Sequence, residues 1–300
     1  MLSFSDFVKQ SQETLPVSIL SWDGSFASIR NKIKFQPNDI SWLNWASSFA
    51  KRRDKNIKEA IDPNDKSNAL EHNFENSPGK HYDTVHDHPN LVPQNLTDEH
   101  REVIGHYSET PSEAPEGKAS SKNINAWLRN KLEPDGSKHQ TLHHSPQAVE
   151  GQAKLLASAF TPENTNKQSA VVYIGVPPHV GHQLMKAGPG SIHHTAGFAS
   201  ASTDPDIAHE FGVQYAVEHN SSRAHVLVCH AHAGTGISVP RYSGVPGENE
   251  IILMHGLPFK YHGSEKDEDA EGNPIYYHYV TVKPEGRIPL NQYGPYKPAQ

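Results

Sequence analysis

A change in residue pattern near position 167 constrains the fold of this chain more than any other feature. Before this position, apolar residues recur at helical spacing, and after it short apolar runs bounded by Gly and Pro predominate. We predict helices at residues 96–107, 124–129 and 146–160, and a buried strand at 170–175. Helices followed by strands are typical of an α+β fold rather than of a parallel doubly wound sheet, in which the two alternate.

Capping and turn residues set the boundaries of several of these elements. Thr97, followed by two acidic residues, predicts the start of the first helix. Asp204 before Pro205 predicts the start of a later helix, because proline is favoured in a first helical turn. Further strands are predicted at residues 224–232, 236–239, 251–254, 259–261 and 276–282, with a turn at 188–190.

The first 60 residues have a different composition from the rest and contain three of the four tryptophans. Residues 39–60 predict an amphipathic helix with Trp42, Trp45 and Phe49 on one stripe. The segment is either a small helical module with its own core or an adaptor that docks on a partner. A polar linker follows, so we expect residues 1–88 and 89–300 to be separate domains.

Charge and hydropathy argue against several classes of protein. The net charge is −7, with 27 basic and 34 acidic residues, which argues against general nucleic-acid binding. No apolar run reaches bilayer length and no signal-peptide pattern is present, so we expect no membrane partner. Cys229 is the only cysteine, which excludes an internal disulfide and suits a reducing compartment.

The 21 histidines raise the possibility of a metal site. The chain has no His-Glu-x-x-His motif, and one cysteine cannot build a Cys/His zinc site. His230 and His232 share a strand face, yet the sequence offers no third ligand. We therefore expect no metal, and a His-rich metal-binding protein is kept as an alternative function.

Two carboxylates, Glu248 and Glu250, follow a turn rich in Gly and Pro and lead into an apolar run. Alternation along a strand would place both side chains on one face. Like charges held side by side cost free energy, so the pair suggests a functional site at the lip of a cleft. A solvated strand end is the alternative.

Four stretches in order resemble one enzyme family. They are 172–175; 198–202 with Ala208 and Phe211; 225–228 with Gly234, Gly236 and Ile237; and 247–253 with His255 and Gly256. Together they resemble the mono-ADP-ribosyltransferases of the Arg-Ser-Glu class, and among these the Alt-like virion enzymes of tailed phages. The resemblance covers about residues 90–285. It implies two packed, mainly antiparallel β-sheets forming an NAD cleft, flanked by helices, with 89–300 as the catalytic domain.

The resemblance also implies a reaction. In this family the bond between nicotinamide and ribose breaks through an oxocarbenium-like state, which a carboxylate stabilises. By position, Glu250 is the catalytic glutamate that holds the ribose 2′-hydroxyl. Glu248 orients the acceptor and helps to deprotonate it. A Glu at this place accompanies arginine acceptors, whose guanidinium is protonated in water and needs a nearby base.

Other site residues are implied in the same way. Ser200 and Ser202 match the family's Ser-Thr-Ser strand, with Ala201 in place of Thr. Ser200 is expected to hydrogen-bond toward Glu250 and fix its rotamer, and Ser202 to support the strand and the NAD site. The remaining implied contacts are Tyr173, Gly175 and Phe198 with NAD, the last of them at the nicotinamide, and Tyr242 with the acceptor.

One position departs from the family pattern. The arginine that precedes the first-strand glycine and anchors the dinucleotide is Ile174 here. An isoleucine cannot donate a hydrogen bond to phosphate. Either another group supplies the contact, or NAD binding is weak, or the chain is inactive. Nearby candidates for a replacement are His179, His182, Lys186, His193 and His194.

The leading hypothesis is an NAD-dependent mono-ADP-ribosyltransferase that modifies arginine in host proteins and releases nicotinamide. The resemblance suggests a phage or toxin-like effector in the virion or the host cytoplasm, with the N-terminal segment as a possible attachment to the phage particle. The alternative is a catalytically weak or dead transferase fold that serves as a virion structural or adaptor protein.

Overall fold

The computed structural model describes residues 91–109, 118–132, 142–243, 248–268 and 273–297, together with a short strand at Ile19–Leu20. The predicted Trp-bearing helix at 39–60 and the polar linker lie outside these residues. The strand at Ile19–Leu20 pairs with residues 194 and 195 of the main sheet, so this part of the N-terminal segment adds a strand to that sheet. Within the described residues, no helix has the length and apolar content needed to cross a bilayer.

Three helices precede the main run of strands, as the sequence predicts. They are α1 (Asp98–Ser108), α2 (Ser121–Leu132) and α3 (Pro146–Ser158). Thr97 caps α1 by accepting a hydrogen bond from the backbone N–H of His100, which confirms the predicted helix start. The apolar sides of the three helices share one buried cluster with Phe198 and Ile252 of the sheet region.

The described strands form one continuous sheet. They are β1 (Ile19–Leu20), β2 (Ala170–Val176), β3 (Ile192–Thr195), β4 (Ala199–Ser202), β5 (Ala224–Ala231), β6 (Gly236–Ser238), β7 (Glu250–Leu253), β8 (Pro258–Glu268) and β9 (Pro274–Val282). Their order is β1-β3-β8-β9-β5-β2-β4-β7-β6. Only β1/β3 and β5/β9 are parallel among the pairs of these strands. The predicted α+β class with mainly antiparallel pairing is confirmed.

The sheet has a weak joint between β2 and β4. These strands share a single register pair, Tyr173 with Ser202, whereas β2 and β5 pair along the whole length of β2. The strands therefore fall into two groups joined at one point, β1-β3-β8-β9-β5-β2 and β4-β7-β6. The resemblance implied two packed sheets, and here the two groups belong to one hydrogen-bonded sheet, with Glu250 in the smaller group.

The remaining helices cover the larger group of strands from both sides. Helix α5 (Pro205–Glu218) packs Ala208 in one cluster with Tyr173, while α4 (Pro178–Ala187) packs Val180 and Leu184 in another cluster with Ile174. Tyr173 pairs with Ser202, so α5 lies on the serine-bearing face of the sheet. Helices α1 to α3 cover the same face of β4 and β7. Strands β4 and β7 are thus covered by helices α1 to α3 on the face that carries Glu250.

Candidate active site

The register of β4 and β7 brings the predicted serines and Glu250 together. Ser202 lies opposite Glu250, and Ser200 lies opposite Ile252. Residues opposite each other in an antiparallel pair share a face, and so do residues two apart on one strand. Ser200, Ser202 and Glu250 therefore lie on one face, with Glu250 only 2% exposed. A carboxylate buried to this degree needs hydrogen-bond donors to offset its lost hydration.

Strand alternation does not relate the two carboxylates, contrary to the sequence prediction. Strand β7 begins at Glu250, and Asn249 has φ of 47°, in the left-handed region that asparagine tolerates better than most residues. This turn is fixed from β4: the Ser202 hydroxyl donates to the carbonyl of Glu248 at 2.8 Å, and Thr203 N–H donates to the carbonyl of Asn249. Glu248 is also buried, in a turn rather than on a strand.

The hydrogen bond predicted from Ser200 to Glu250 is absent, and a different serine makes it. Ser108, the last residue of α1, donates its hydroxyl to Oε2 of Glu250 at 2.8 Å. The Ser200 hydroxyl is buried and has no hydrogen-bond partner in the described part of the chain. Sequence reasoning missed Ser108 because 142 residues separate it from Glu250 in the chain.

Ser202 connects two segments of the chain next to the site. Besides donating to Glu248, its hydroxyl accepts a hydrogen bond from Asp204 N–H at 2.9 Å. Asp204 in turn caps α5 by accepting from Asp206 N–H. One side chain therefore connects the carboxylate turn with the start of α5. Whether Ser202 also contacts NAD stays a prediction.

Phe198 lies in the core beside the site. Its ring is 1% exposed and has three aromatic neighbours: Phe160 stacked at 5.5 Å, His255 edge-on at 5.2 Å and Tyr107 edge-on at 6.0 Å between centroids. Asn125 holds the Phe198 backbone through two hydrogen bonds. The structure thus explains Phe198 by packing, and its predicted contact with nicotinamide stays a prediction.

The first-strand residues are also enclosed by packing. Tyr173 is fully buried in the cluster that includes Ala208 of α5. A Cβ at Gly175 would lie 2.4 Å from the carbonyl oxygen of Ala208, so glycine is required there for α5 to approach β2. Neither observation assigns Tyr173 or Gly175 to an NAD contact, and both stay predictions.

Ile174 lies on the opposite face of the sheet from Glu250. It is 1% exposed and shares a cluster with Ala201 and Leu184, which are on the side covered by α4. The four histidine candidates for a replacement each contact another residue: His179 meets the ring of His219 and His182 that of His225, while His193 and His194 contact Ser191 and the carbonyl of Gly286, respectively.

A buried cation lies instead on the helix beside Phe198. Arg129 of α2 is 3% exposed and follows Asn125 by one helical turn, on the same side of the helix. Because Asn125 contacts Phe198, this side of α2 faces the strand that carries Ser200. Arg129 belongs to the part of the chain that resembles the family, but its place near the site was not predicted.

Tyr242 lies against α1 rather than projecting from a loop. It is half-buried, its ring lies 5.9 Å from the Arg101 guanidinium, and its carbonyl faces Gly105. Residues 244–247 of the carboxylate turn lie outside the described residues. The predicted acceptor contact of Tyr242 stays a prediction, but its position links α1 to the turn that precedes Glu248.

Acidic side chains at the start of α5 were not among the predicted site residues. Burial raises the pKa of Asp206 to about 8, and the neighbouring carboxylates of Asp204 and Glu210 contribute. Burial, followed by Asp204, also raises the pKa of Glu210 to about 7. Only Asp204 is linked to the carboxylate turn, through the hydrogen bond of its backbone N–H to Ser202, and the raised pKa values mean that Asp206 and Glu210 are largely protonated near neutral pH.

No group of three or more His, Cys, Asp or Glu side chains that could hold a metal ion is found in the described ranges. The rings of His230 and His232 are tilted by 59° with their centroids 4.8 Å apart, but His232 follows the end of strand β5 and does not share a strand face with His230.

No family model and no curated protein matches this chain. Solved structures do match. BECa, an ADP-ribosylating toxin of a binary enterotoxin of C. perfringens solved with NADH, aligns at 14% identity with a TM-score of 0.51, over 71% of this chain and 50% of BECa. The C3 exoenzyme of Clostridium limosum aligns at 12% identity and a TM-score of 0.49, over 73% and 98% of the two chains.

A third match is the toxin Plx2a of Paenibacillus larvae, an ADP-ribosyltransferase. It aligns at 17% identity and a TM-score of 0.44, over 63% of this chain and 87% of Plx2a. The likeness to BECa shows that residues in the described ranges adopt the fold of an ADP-ribosylating toxin.

Proposed function

We propose that this protein is an NAD-dependent mono-ADP-ribosyltransferase that modifies arginine side chains of proteins. The observation that carries the proposal is Glu250, a buried carboxylate opposite Ser202, on a fold shared with an ADP-ribosylating toxin. A buried carboxylate with a fixed orientation is suited to stabilising positive charge that develops on a sugar.

The proposed reaction exchanges one bond at the ribose anomeric carbon. The bond from this carbon to the nicotinamide nitrogen breaks, and nicotinamide leaves with the electron pair. Glu250 stabilises the oxocarbenium-like ribose and accepts a hydrogen bond from the 2′-hydroxyl. A guanidine nitrogen of the acceptor then bonds to the anomeric carbon, and the proton that it loses passes to Glu248.

One feature supports arginine as the acceptor. Glu248 provides a carboxylate that matches the planar fork of a guanidinium, two residues before Glu250 in the chain. Tyr242 is proposed as an additional contact with the acceptor.

Other residues are proposed to bind NAD. The Ser200 hydroxyl is buried on the Glu250 face and has no partner in the described residues, so it can donate to the dinucleotide. Arg129 is proposed to balance the diphosphate charge in place of the arginine that Ile174 replaces. Tyr173, Gly175, Phe198 and Ser202 complete the proposed NAD site.

The biological setting is proposed from the resemblance alone. We propose an effector that reaches the host cytoplasm, carried by a phage particle to which the segment 1–88 attaches. Target proteins are host proteins with accessible arginine.

Calorimetric titration with NAD tests this function. We expect saturable binding, and transfer of label from labelled NAD to discrete proteins of a bacterial lysate that depends on Glu250. Absence of both binding and labelling would contradict the proposal and favour the alternative of a dead transferase fold with an adaptor role.

A further inference from the structure

The hydrogen bond between Ser108 and Glu250 has no counterpart in the roles that the family resemblance implies. Its two ends lie in helix α1 and strand β7, and both residues are 2% exposed. A hydrogen bond to a carboxylate is stronger than one between neutral groups, and exclusion of water strengthens it further. The bond therefore restricts the carboxylate of Glu250 to one orientation.

Helix α1 is itself held in place at its C-terminal end, which carries Ser108. Its neighbour Tyr107 donates to the carbonyl of Phe198 at 3.3 Å, and Asn125 donates to both the Tyr107 hydroxyl and the same carbonyl. Phe198 directly precedes β4, which pairs with β7. The donor and acceptor of the Ser108–Glu250 bond are thus fixed by one connected set of hydrogen bonds.

Contacts between α1 and Tyr242 also hold α1 close to Glu250. Arg101, Gly105 and Ser108 recur at helical spacing on one side of α1, and the first two lie against Tyr242. Helix α1 therefore lies along the segment between β6 and β7. A shift of α1 would move the hydroxyl of Ser108 away from Glu250.

We propose that Ser108 is a positioning residue for Glu250, in the role that sequence reasoning gave to Ser200. Ser108 acts through the carboxylate and makes no contact with substrate. Ser200 on β4 is then available to bind NAD. This inference rests on the proposed function for its catalytic consequence, but the hydrogen bond itself can be tested without activity.

The variants Ser108→Ala and Ser108→Thr separate positioning from packing. Alanine removes the donor, and threonine keeps a hydroxyl at the same place. Ser120→Ala is a matched control, because Ser120 is also fully buried next to a helix terminus and its hydroxyl has no hydrogen-bond partner in the described chain. Thermal unfolding of all variants establishes that each one folds.

The first readout is the ionisation of Glu250, which is monitored by NMR in protein labelled with 13C-glutamate. The Glu250 signal is assigned by its absence in Glu250→Gln. Since a donor favours the charged carboxylate, the Ser108→Ala midpoint should move to higher pH. Ser108→Thr and Ser120→Ala should titrate like the unchanged protein. An identical Glu250 midpoint in folded Ser108→Ala would overturn the proposal, whether or not the protein cleaves NAD.

The second readout is release of nicotinamide from NAD. We expect Ser108→Ala to lower kcat by roughly 10- to 100-fold, the effect of losing one hydrogen bond to a charged group, with KM for NAD little changed. Ser108→Thr should recover part of this loss. A wild-type protein that releases no nicotinamide contradicts the proposed function, whereas equal kcat in folded Ser108→Ala contradicts only the role of Ser108.

Discussion

Asn125 and Phe198 exchange two hydrogen bonds that attach helix α2 to the strand of the site. The Asn125 side-chain amide donates to the Phe198 carbonyl at 3.0 Å, and Phe198 N–H donates to Asn125 Oδ1 at 2.9 Å. Asn125 is fully buried. The amide supplies one donor and one acceptor in the geometry of a backbone pair, which no carboxylate can imitate.

Asn125→Asp should therefore destabilise the protein. The aspartate keeps an acceptor for Phe198 N–H but places a second oxygen against the Phe198 carbonyl and the Tyr107 hydroxyl oxygen. We expect a loss of about 1–3 kcal/mol in the free energy of unfolding at pH 7, the cost of an unsatisfied buried polar group. Urea unfolding measures it. Unchanged stability would show that the pair does not anchor β4.

Ile174→Arg tests whether the arginine that the family has at this position can be restored here. The sequence alone suggests that arginine at this position would improve NAD binding. The structure predicts the opposite, because Ile174 is buried in the same apolar cluster as Ala201 and Leu184, on the face away from Glu250. An unpaired buried charge should lower the free energy of unfolding by about 3–5 kcal/mol.

Denaturant unfolding and NAD titration of Ile174→Arg distinguish the two expectations, with Ile174→Val as the control for volume. A stable variant that binds NAD more tightly would contradict the placement of Ile174 in the core.

Two buried histidines predict loss of stability in mild acid. His225 and His278 are both fully buried, and their ring nitrogens lie 2.9 Å apart. Burial lowers the pKa of His225 to about 4, with smaller effects of His182 and Arg223. Burial, with His225 and His182, lowers the pKa of His278 to about 3.

The direction of this pH dependence follows from proton uptake. Between about pH 6.5 and pH 4 the unfolded chain binds protons at these histidines and the folded chain does not, so acid favours unfolding. Each such group removes up to about 1.4 kcal/mol per pH unit. Stability is retained above this window and lost as pH falls through it.

Urea midpoints between pH 7.5 and pH 5 measure the effect. His278→Leu should show a shallower decline with falling pH than the unchanged protein. His143→Gln, at an exposed histidine, should show the same decline as the unchanged protein. Equal slopes for all three proteins would show that the buried pair does not drive acid unfolding.

Local signals in the sequence were sufficient for much of the fold. Thr97 and Asp204 mark helix starts in the structure, because capping depends only on neighbouring residues. Helix α4 was not predicted. It begins after Pro177 and contains Gly181, where a Cβ would lie 2.1 Å from the His225 ring. That glycine serves a contact between distant segments, which no local pattern reveals.

Long-range geometry also limited the prediction of the site. The spacing of Glu248 and Glu250 indicated a functional pair on one strand face. Because Asn249 between them has a left-handed backbone conformation, the two side chains do not follow strand alternation. The serine that contacts Glu250 comes from α1, and the predicted one does not. Strand β8 runs to Glu268, beyond its predicted end at residue 261. Its second half is polar and is a strand because it pairs with β9, which a local sequence pattern does not reveal.

Nicotinamide release and arginine transfer, measured side by side in Glu250→Gln and Glu248→Gln, test the central claim most directly. Both substitutions keep the side-chain volume and remove the charge. We predict that Glu250→Gln loses both activities, because the ribose cation is no longer stabilised. Glu248→Gln should keep most nicotinamide release and lose transfer to an arginine acceptor, because only the acceptor needs its base. Full activity in folded Glu250→Gln, or equal loss of both activities in Glu248→Gln, would contradict the account.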